Sequence, residues 1–488
     1  MLSAGLTAAA ENRPGNPDVP QLLSQAQDAA RAITEDASLR DTALRGIAGA
    51  QAEEGRFDAA LDTASLIADE YLRAGAWRQI AVAKARAGDR ETAGKLLEKV
   101  RQAAASRNVE PIRGDTLIAT AQAQAQIGDV PGALKTAASV GNPRGKAEAL
   151  RDIALVQARR GDFKDAMGTA DTIADERIKA QALSGIAAER AETGDRDGAL
   201  QVAAGIRDPY QRAGAFRRIA VAPAILKDRA AALDILKQAL DSAGAIRGET
   251  EKINALHGIT MAFLAAGDAA GAFRTAALIE SAFAGKPLPE AAATPRAEVL
   301  RAIAVAQARG GDSQKALQTA GAIANAYLQA SALAEIATLQ AARGDQLAAG
   351  TTLRKALQVA SAVQELAGRI PALTGIAQAQ AKVGDRAAAV QTFRQARQAI
   401  HTSDDERYKM DALLDLAMVQ SGAGDFSGAV ETADGIRNVY AKAHAWRVIA
   451  AARGGNREAV LAWIAQGGAP ARKAYALLGL AEGLLPRP

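Results

Sequence analysis

Apolar residues return along this chain at helical spacing, in blocks of two helices broken by a glycine and an aspartate. In the block from Ala149 to Asp175, Leu150, Ile153 and Ala154 share one face and predict a helix, A, running to Arg160. Gly161 stands where a helix ends in the left-handed conformation, which glycine adopts without a Cβ clash. Asp162 then caps the free N–H groups of a second helix, B, a contribution of about 1 kcal/mol. The same turn recurs at Gly88-Asp89, Gly128-Asp129, Gly194-Asp195, Gly267-Asp268, Gly311-Asp312, Gly344-Asp345, Gly384-Asp385 and Gly424-Asp425. Variants stand at Gly55-Arg56, Lys227-Asp228 and Gly455-Asn456.

Nine of the eleven intervals between turns are 33 or 40 residues. A period in that range predicts a solenoid of stacked helical hairpins, and no strand pattern competes with it. Five residues after the turn position stands an alanine, as at Ala60, Ala93, Ala166 and Ala429, so helix B is expected to cross helix A closely there. The two periods differ by seven residues, close to two helical turns, so the longer blocks should carry longer B helices with an unrotated buried face. Leu96–Ala105, Thr352–Ala360 and Thr392–Ile400 are the runs that lengthen them.

The expected fold is all-α, a right-handed α–α superhelix of about 12 hairpins with helical caps at both ends. Gln21–Ile33 reads as a B helix without an A partner, and Ala471–Leu485 as a lone A helix. Residues 1–20 read as a tail or signal-peptide remnant, 21–226 as an N-terminal array, 227–296 as irregular central repeats and 297–488 as a C-terminal array with its cap. The centre is irregular because Pro223 falls inside an A helix, costing roughly 3 kcal/mol unless the helix bends. The turn after it lacks its glycine, and a Pro-rich insertion follows at Ala284–Pro295. A kink or change of curvature is expected between about 220 and 296.

Composition refines the picture. Aromatics are 3% of 488 residues against 49% hydrophobic residues, so the interior is mostly Ala, Leu, Ile and Val. Stability then comes from many neighbouring interfaces rather than one large core. With no cysteine, thiolate metal sites and cysteine nucleophiles are excluded. A net charge of +5 is too small for a nucleic-acid-binding tail, and no charge-free run of 18 apolar residues suggests a membrane span. MLSAGLTAAAEN ends in small residues before a Pro/Gly stretch, which favours a periplasmic or exported protein if the true start lies upstream, and otherwise a disordered cytoplasmic tail.

The pattern resembles the tetratricopeptide repeat (TPR) family over roughly residues 36–485. The likeness rests on the period, on Gly161-Asp162-Phe163 and Gly424-Asp425-Phe426, on the following alanine, and on Trp77 and Trp446 near the start of helix A. Ala154 replaces the glycine that family uses in helix A, and glutamine stands for its mid-helix tyrosine, so the chain looks like a divergent, bacterial branch. The resemblance implies a protein-binding scaffold rather than an enzyme. Pentatricopeptide RNA binders share the hairpin period more distantly.

Three ladders run through the repeats. A basic residue precedes the apolar anchor of helix A by four, from Arg40 and Arg73 to Lys473, with Gln329 the exception. It is either a stripe for an acidic partner or, the preferred reading, local N-cap and i,i+4 chemistry with residues such as Asp36 and Asp69. Seven after the anchor come Gln51, Gln124, Gln157, Gln307, Gln340, Gln380 and Gln420, whose amides either bond successive helices along the stack or face the groove. One after the anchor come Arg45, Arg78, Arg151, Arg217, Arg301 and Arg447, and eight further on Arg86, Arg159 and Arg309. The family resemblance implies that such positions line a concave groove, where arginines could hold carboxylates bidentately. The competing reading is a solvated helix face.

Catalysis finds no support. His257, His401 and His444 lie in different repeats, and no phosphate loop, HExxH or nucleophile elbow occurs. No cofactor or metal is expected. The expected partner is an acidic peptide or helix; an RNA-binding helical repeat or a purely structural assembly component are the alternatives.

Overall fold

The computed structural model describes residues 18–105, 112–281, 290–452, 457–466 and 468–485. Ten turn glycines, from Gly55 to Gly424, take φ between +74° and +100°, the region an L side chain rarely enters. The aspartate after the glycine caps helix B from its side chain: Asp129 accepts from the Gly132 N–H at 2.9 Å, Asp345 from Ala348 and Asp425 from Gly428 at 3.0 Å. The alanines at Ala60, Ala93, Ala133, Ala166 and Ala199 are fully buried. The Gly455-Asn456 turn and residues 1–17 of the N-terminal segment lie outside the described residues.

Twenty-seven helices, α1 to α27 in chain order, are described, and the chain is an all-α helical-repeat solenoid. A typical A helix has 17 residues, as in α2 (Ala37–Glu53), α4 (Glu70–Arg86) and α19 (Ala326–Ala342). Most B helices have one of two lengths: 9 residues, as in α3 (Phe57–Ser65), or 16, as in α5 (Arg90–Ala105) and α20 (Gln346–Ser361). The difference is the seven residues expected, two turns added without rotating the packed face.

Pro223 breaks its A helix. Helix α12 (Pro209–Ala220) has 12 residues instead of 17 and ends three residues before the proline, and the chain restarts as α13 (Pro223–Leu226) with the proline in the first turn, where a missing N–H costs nothing. Ala222 and Ile225 stay buried across the break. Of the Pro-rich insertion, residues 282–289 lie outside the described residues, and 290–295 begin α17 (Glu290–Arg309).

Contacts divide the chain into two compact units: Leu150–Asp404, and Met1–Ala149 together with Asp405–Pro488. Both terminal caps therefore belong to one unit, and they cap each other. Helix α27 (Pro470–Leu484) lies against α25 (Val439–Ala452) on one side and α2 on the other, while α1 (Val19–Arg31) packs on it as a B helix packs on its A helix. Nine of the residues in α27, Leu477, Leu478 and Leu480 among them, are buried, and α1 buries Val19, Leu22 and Leu23 in the same core. Each fully buried leucine stabilises by about 1.5–3 kcal/mol. A further hairpin is thus assembled from the two halves the sequence carries at opposite ends.

Candidate partner-binding groove

The glutamine ladder explains how helix A is held to helix B. Gln51 Oε1 accepts from Thr63 Oγ1 at 2.7 Å, Gln124 from Thr136 at 2.6 Å, Gln307 from Thr319 at 2.8 Å, Gln340 from Thr352 at 2.9 Å and Gln420 from Thr432 at 2.7 Å. Each threonine follows its glutamine by 12 residues, so the bond closes a hairpin from within and does not run from repeat to repeat. These five amides are spent on the fold, whereas Gln157 and Gln380 of the same ladder keep a buried Oε1 without a hydrogen-bond partner.

The basic ladder is also local, but not through the i,i+4 ion pairs expected. Asp69 and Asp175 cap their own helices by accepting from Leu72 and Ile178. The basic residue reaches back to carbonyls at the end of the previous helix: Arg73 donates to Ile67 O at 2.9 Å and Arg212 to Ile206 O at 3.4 Å. Gln329 donates to Ala320 O at 3.2 Å. At these rungs the role is that of a donor to carbonyls at the end of the previous helix, so glutamine can stand in for a cation, while Arg40, Lys179 and Lys409 meet Asp41, Asp171 and Glu406.

The arginine row faces the neighbouring A helix. In the unit holding both chain ends, α25, α27, α2, α4 and α6 (Ile112–Ile127) follow side by side, and their shared face encloses a cavity of about 370 Å³. Gly46 and Gly49 of α2, Gln79 of α4 and Gln122 of α6 line it together with Arg78, Arg86 and Arg447 and with two carboxylates, Glu53 and Glu482. Arg45 lies next to them: a Cβ on Gly75 would stand 3.4 Å from its Cδ, so the glycine notch lets the arginine lie across the next helix.

These arginines differ in what they meet. Arg447 holds Glu482 bidentately, with Nε at 2.7 Å from Oε2 and Nη2 on Oε1. Arg86 is exposed at the cavity edge. Arg78 is sunk into the helix face with no carboxylate beside it, and its Nη1 is buried without a hydrogen-bond partner. Burial pushes its pKa down; the Tyr71 phenol partly opposes this, and the charge of Arg45 adds to it.

In the other unit Arg151 pairs with Asp152 at 2.8 Å, Arg159 with Glu189 at 3.2 Å, and Arg301 with Glu335. Arg217 is the counterpart of Arg78: burial first, then the neighbouring Arg218, lowers its pKa, and its side chain lies in the notch of Gly258, where a Cβ would stand 3.1 Å away. Arg309 is exposed, and its carbonyl accepts from Arg343 Nη2 at 2.6 Å. The acids Glu189, Glu335 and Glu482 were missed by the sequence reading. Their signal is an acidic residue two to six places after the next anchor (Leu183, Leu333 or Leu477).

His257 occupies the same row as the arginines and meets Glu298 at 3.3 Å. Among the described residues no cluster of three or more His, Asp or Glu could hold a metal, and no helix is long and apolar enough to cross a membrane.

No protein-family model and no curated protein sequence matches the chain. Solved structures similar to it include that of Ton1535 from Thermococcus onnurineus NA1, 17% identical over 68% of this chain and 98% of that one, with a TM-score of 0.28. A Rap protein complexed with competence and sporulation factor is 14% identical over 76% of this chain and 98% of its own, TM-score 0.23. A human IFIT1 dimer with m7Gppp-AAAA is 15% identical over 78% and 94%, TM-score 0.25. At such scores no ligand carries over from them. The chain is an all-α helical-repeat solenoid, with a row of arginines along its A helices.

Proposed function

We propose that the protein is a divergent bacterial TPR-like scaffold that binds an acidic peptide or helix along its A-helix face and catalyses no reaction. The observation that carries this reading is the convergence of Arg45, Arg78 and Arg86 on one face of α2 and α4, beside a cavity whose lining holds three arginines against two carboxylates, Glu53 and the Glu482 that Arg447 already grips, and where Arg78 Nη1 is buried without a hydrogen-bond partner. Guanidinium groups so placed favour planar, bidentate acceptors. Glutamine and glycine between them leave room and donors for a polypeptide.

The test is fluorescence anisotropy with a labelled, blocked polyglutamate peptide. Joint replacement of Arg45, Arg78 and Arg86 by glutamate is expected to abolish binding while helical circular dichroism stays unchanged. Unaltered binding would remove these arginines from the function. An oligouridylate that binds more tightly, with a steep salt dependence, would replace the reading by RNA binding.

A further inference from the structure

Three A helices carry one local motif at the arginine row: YLRAGAWR (Tyr71–Arg78), YQRAGAFR (Tyr210–Arg217) and YAKAHAWR (Tyr440–Arg447). In each, the tyrosine and the final arginine are seven residues apart, two turns along one helix face. The third copy shows what its arginine takes. Arg447 grips the carboxylate of Glu482, which stands on the next A helix five residues after its anchor Leu477. Arg301, in the same row, grips Glu335 on the next A helix, two residues after the anchor Leu333.

At the matching positions of the next A helix the other two copies meet no acid, although Glu53 of α2 lines the same cavity as Arg78. Two and five residues after the next anchor stand Ala119 and Gln122 opposite Arg78, and Gly258 and Met261 opposite Arg217. Arg78 is left with a buried, unpartnered Nη1 on a cavity that Ala119 and Gln122 line. Leaving such a donor without an acceptor is costly, and a carboxylate is the group that the same motif meets elsewhere in the chain.

We propose that Arg78 and Arg217 are two copies of one carboxylate socket, each taking a glutamate or aspartate side chain of a partner helix in the way Arg447 takes Glu482. This rests on the acidic-partner reading above and narrows it to two positions. Three other arginines of the row are filled from within: Asp152 occupies Arg151, Glu335 occupies Arg301 and Glu482 occupies Arg447, while Arg45 lies across Gly75.

The experiment follows arginine Nε–H resonances of the full chain while a blocked, alanine-based helical peptide carrying two glutamates one turn apart is added. The resonances of Arg78 and Arg217 should move, those of Arg301 and Arg447 should not, and the same peptide with glutamines should move none. Gln122→Glu places an acid opposite Arg78 where Glu482 stands opposite Arg447. It should weaken the response of Arg78 about tenfold, the worth of one charge-assisted pair, and leave that of Arg217 intact. Glu482→Gln should make Arg447 responsive. Binding of the glutamate peptide with Arg78 and Arg217 silent would overturn the sockets and leave the scaffold reading standing. No binding of the peptide at all would sink both. Tighter saturation of Arg78 and Arg217 by an oligouridylate would overturn the carboxylate assignment.

Discussion

The hydroxyl of Tyr475 donates to the main-chain carbonyl of Leu39 at 3.0 Å, across 436 residues of sequence. Nearby, the hydroxyl of Tyr440 reaches the carboxylate of Asp36, the N-cap of α2, at 3.0 Å. The C-terminal helices α25 and α27 are therefore joined to α2 by specific bonds as well as by apolar packing, and Asp36 is held below the usual carboxylate range by the Leu39 N–H first and Tyr440 after it.

Stability should depend on this junction more than on an ordinary end of an array. Tyr475→Phe removes the second donor to the Leu39 carbonyl, which keeps its helical bond, and is expected to cost about 0.5–1.5 kcal/mol. Leu23→Ala, in the core shared by α1 and α27, should cost about 2–5 kcal/mol, whereas Leu347→Ala, at a residue 83% exposed, should be nearly neutral. Urea unfolding curves compare the three, and equal effects of Leu23→Ala and Leu347→Ala would refute the junction's importance.

The glutamine–threonine bond offers a double-mutant cycle. Thr352→Val strands the buried Oε1 of Gln340 and should destabilise by about 1–3 kcal/mol. Adding Gln340→Leu removes the stranded group and should recover most of the loss. Additive losses in thermal unfolding would show that the pair does not act as a unit.

Two glycines of one hairpin should respond with opposite sign. Gly161 holds φ at +84°, so Gly161→Ala is expected to destabilise by about 1 kcal/mol. Gly168 sits inside α9 (Phe163–Asp171) with nothing within 4 Å of where a Cβ would stand. Gly168→Ala should stabilise by roughly 0.5–1 kcal/mol through helix propensity. Chemical denaturation of the two single variants checks both signs.

His444 gives the protein a pH response. Burial, and then the charge of Arg447, hold its pKa below the ordinary 6.5. The unfolded chain therefore takes up a proton near pH 6.5 that the folded chain refuses, so stability is lost as pH falls through that value towards the folded pKa. Above pH 6.5 the group contributes no dependence. The melting temperature of His444→Gln should fall less than that of the parent between pH 7.5 and 5.5; identical slopes would exclude His444 as the source.

Most of the repeat was legible because its signals are local. Gly161, Asp162 and Ala166 announce a turn, a cap and a close crossing within six residues, and a left-handed glycine or an N-cap needs nothing from the rest of the chain. The two lengths of helix B followed from seven-residue arithmetic, and Pro223 marked its own helix break by removing an N–H.

What depended on distant residues could not be read. Nothing near Gln21–Ile33 or Ala471–Leu485 states that these lone helices complete each other, because that pairing is decided by the path of every repeat between them. The arginine row shows the same limit. Arg78 and Arg447 end near-identical motifs, yet one keeps a buried Nη1 without a partner and the other is gripped by Glu482, since the partner of an arginine is settled by the helix packed against it. The sequence alone determined the hairpin, its turns and its period, which are interactions over a few residues. Tertiary structure decided which end met which, and which arginines met a carboxylate of the chain itself, because both depend on contacts whose closure adds up over hundreds of residues.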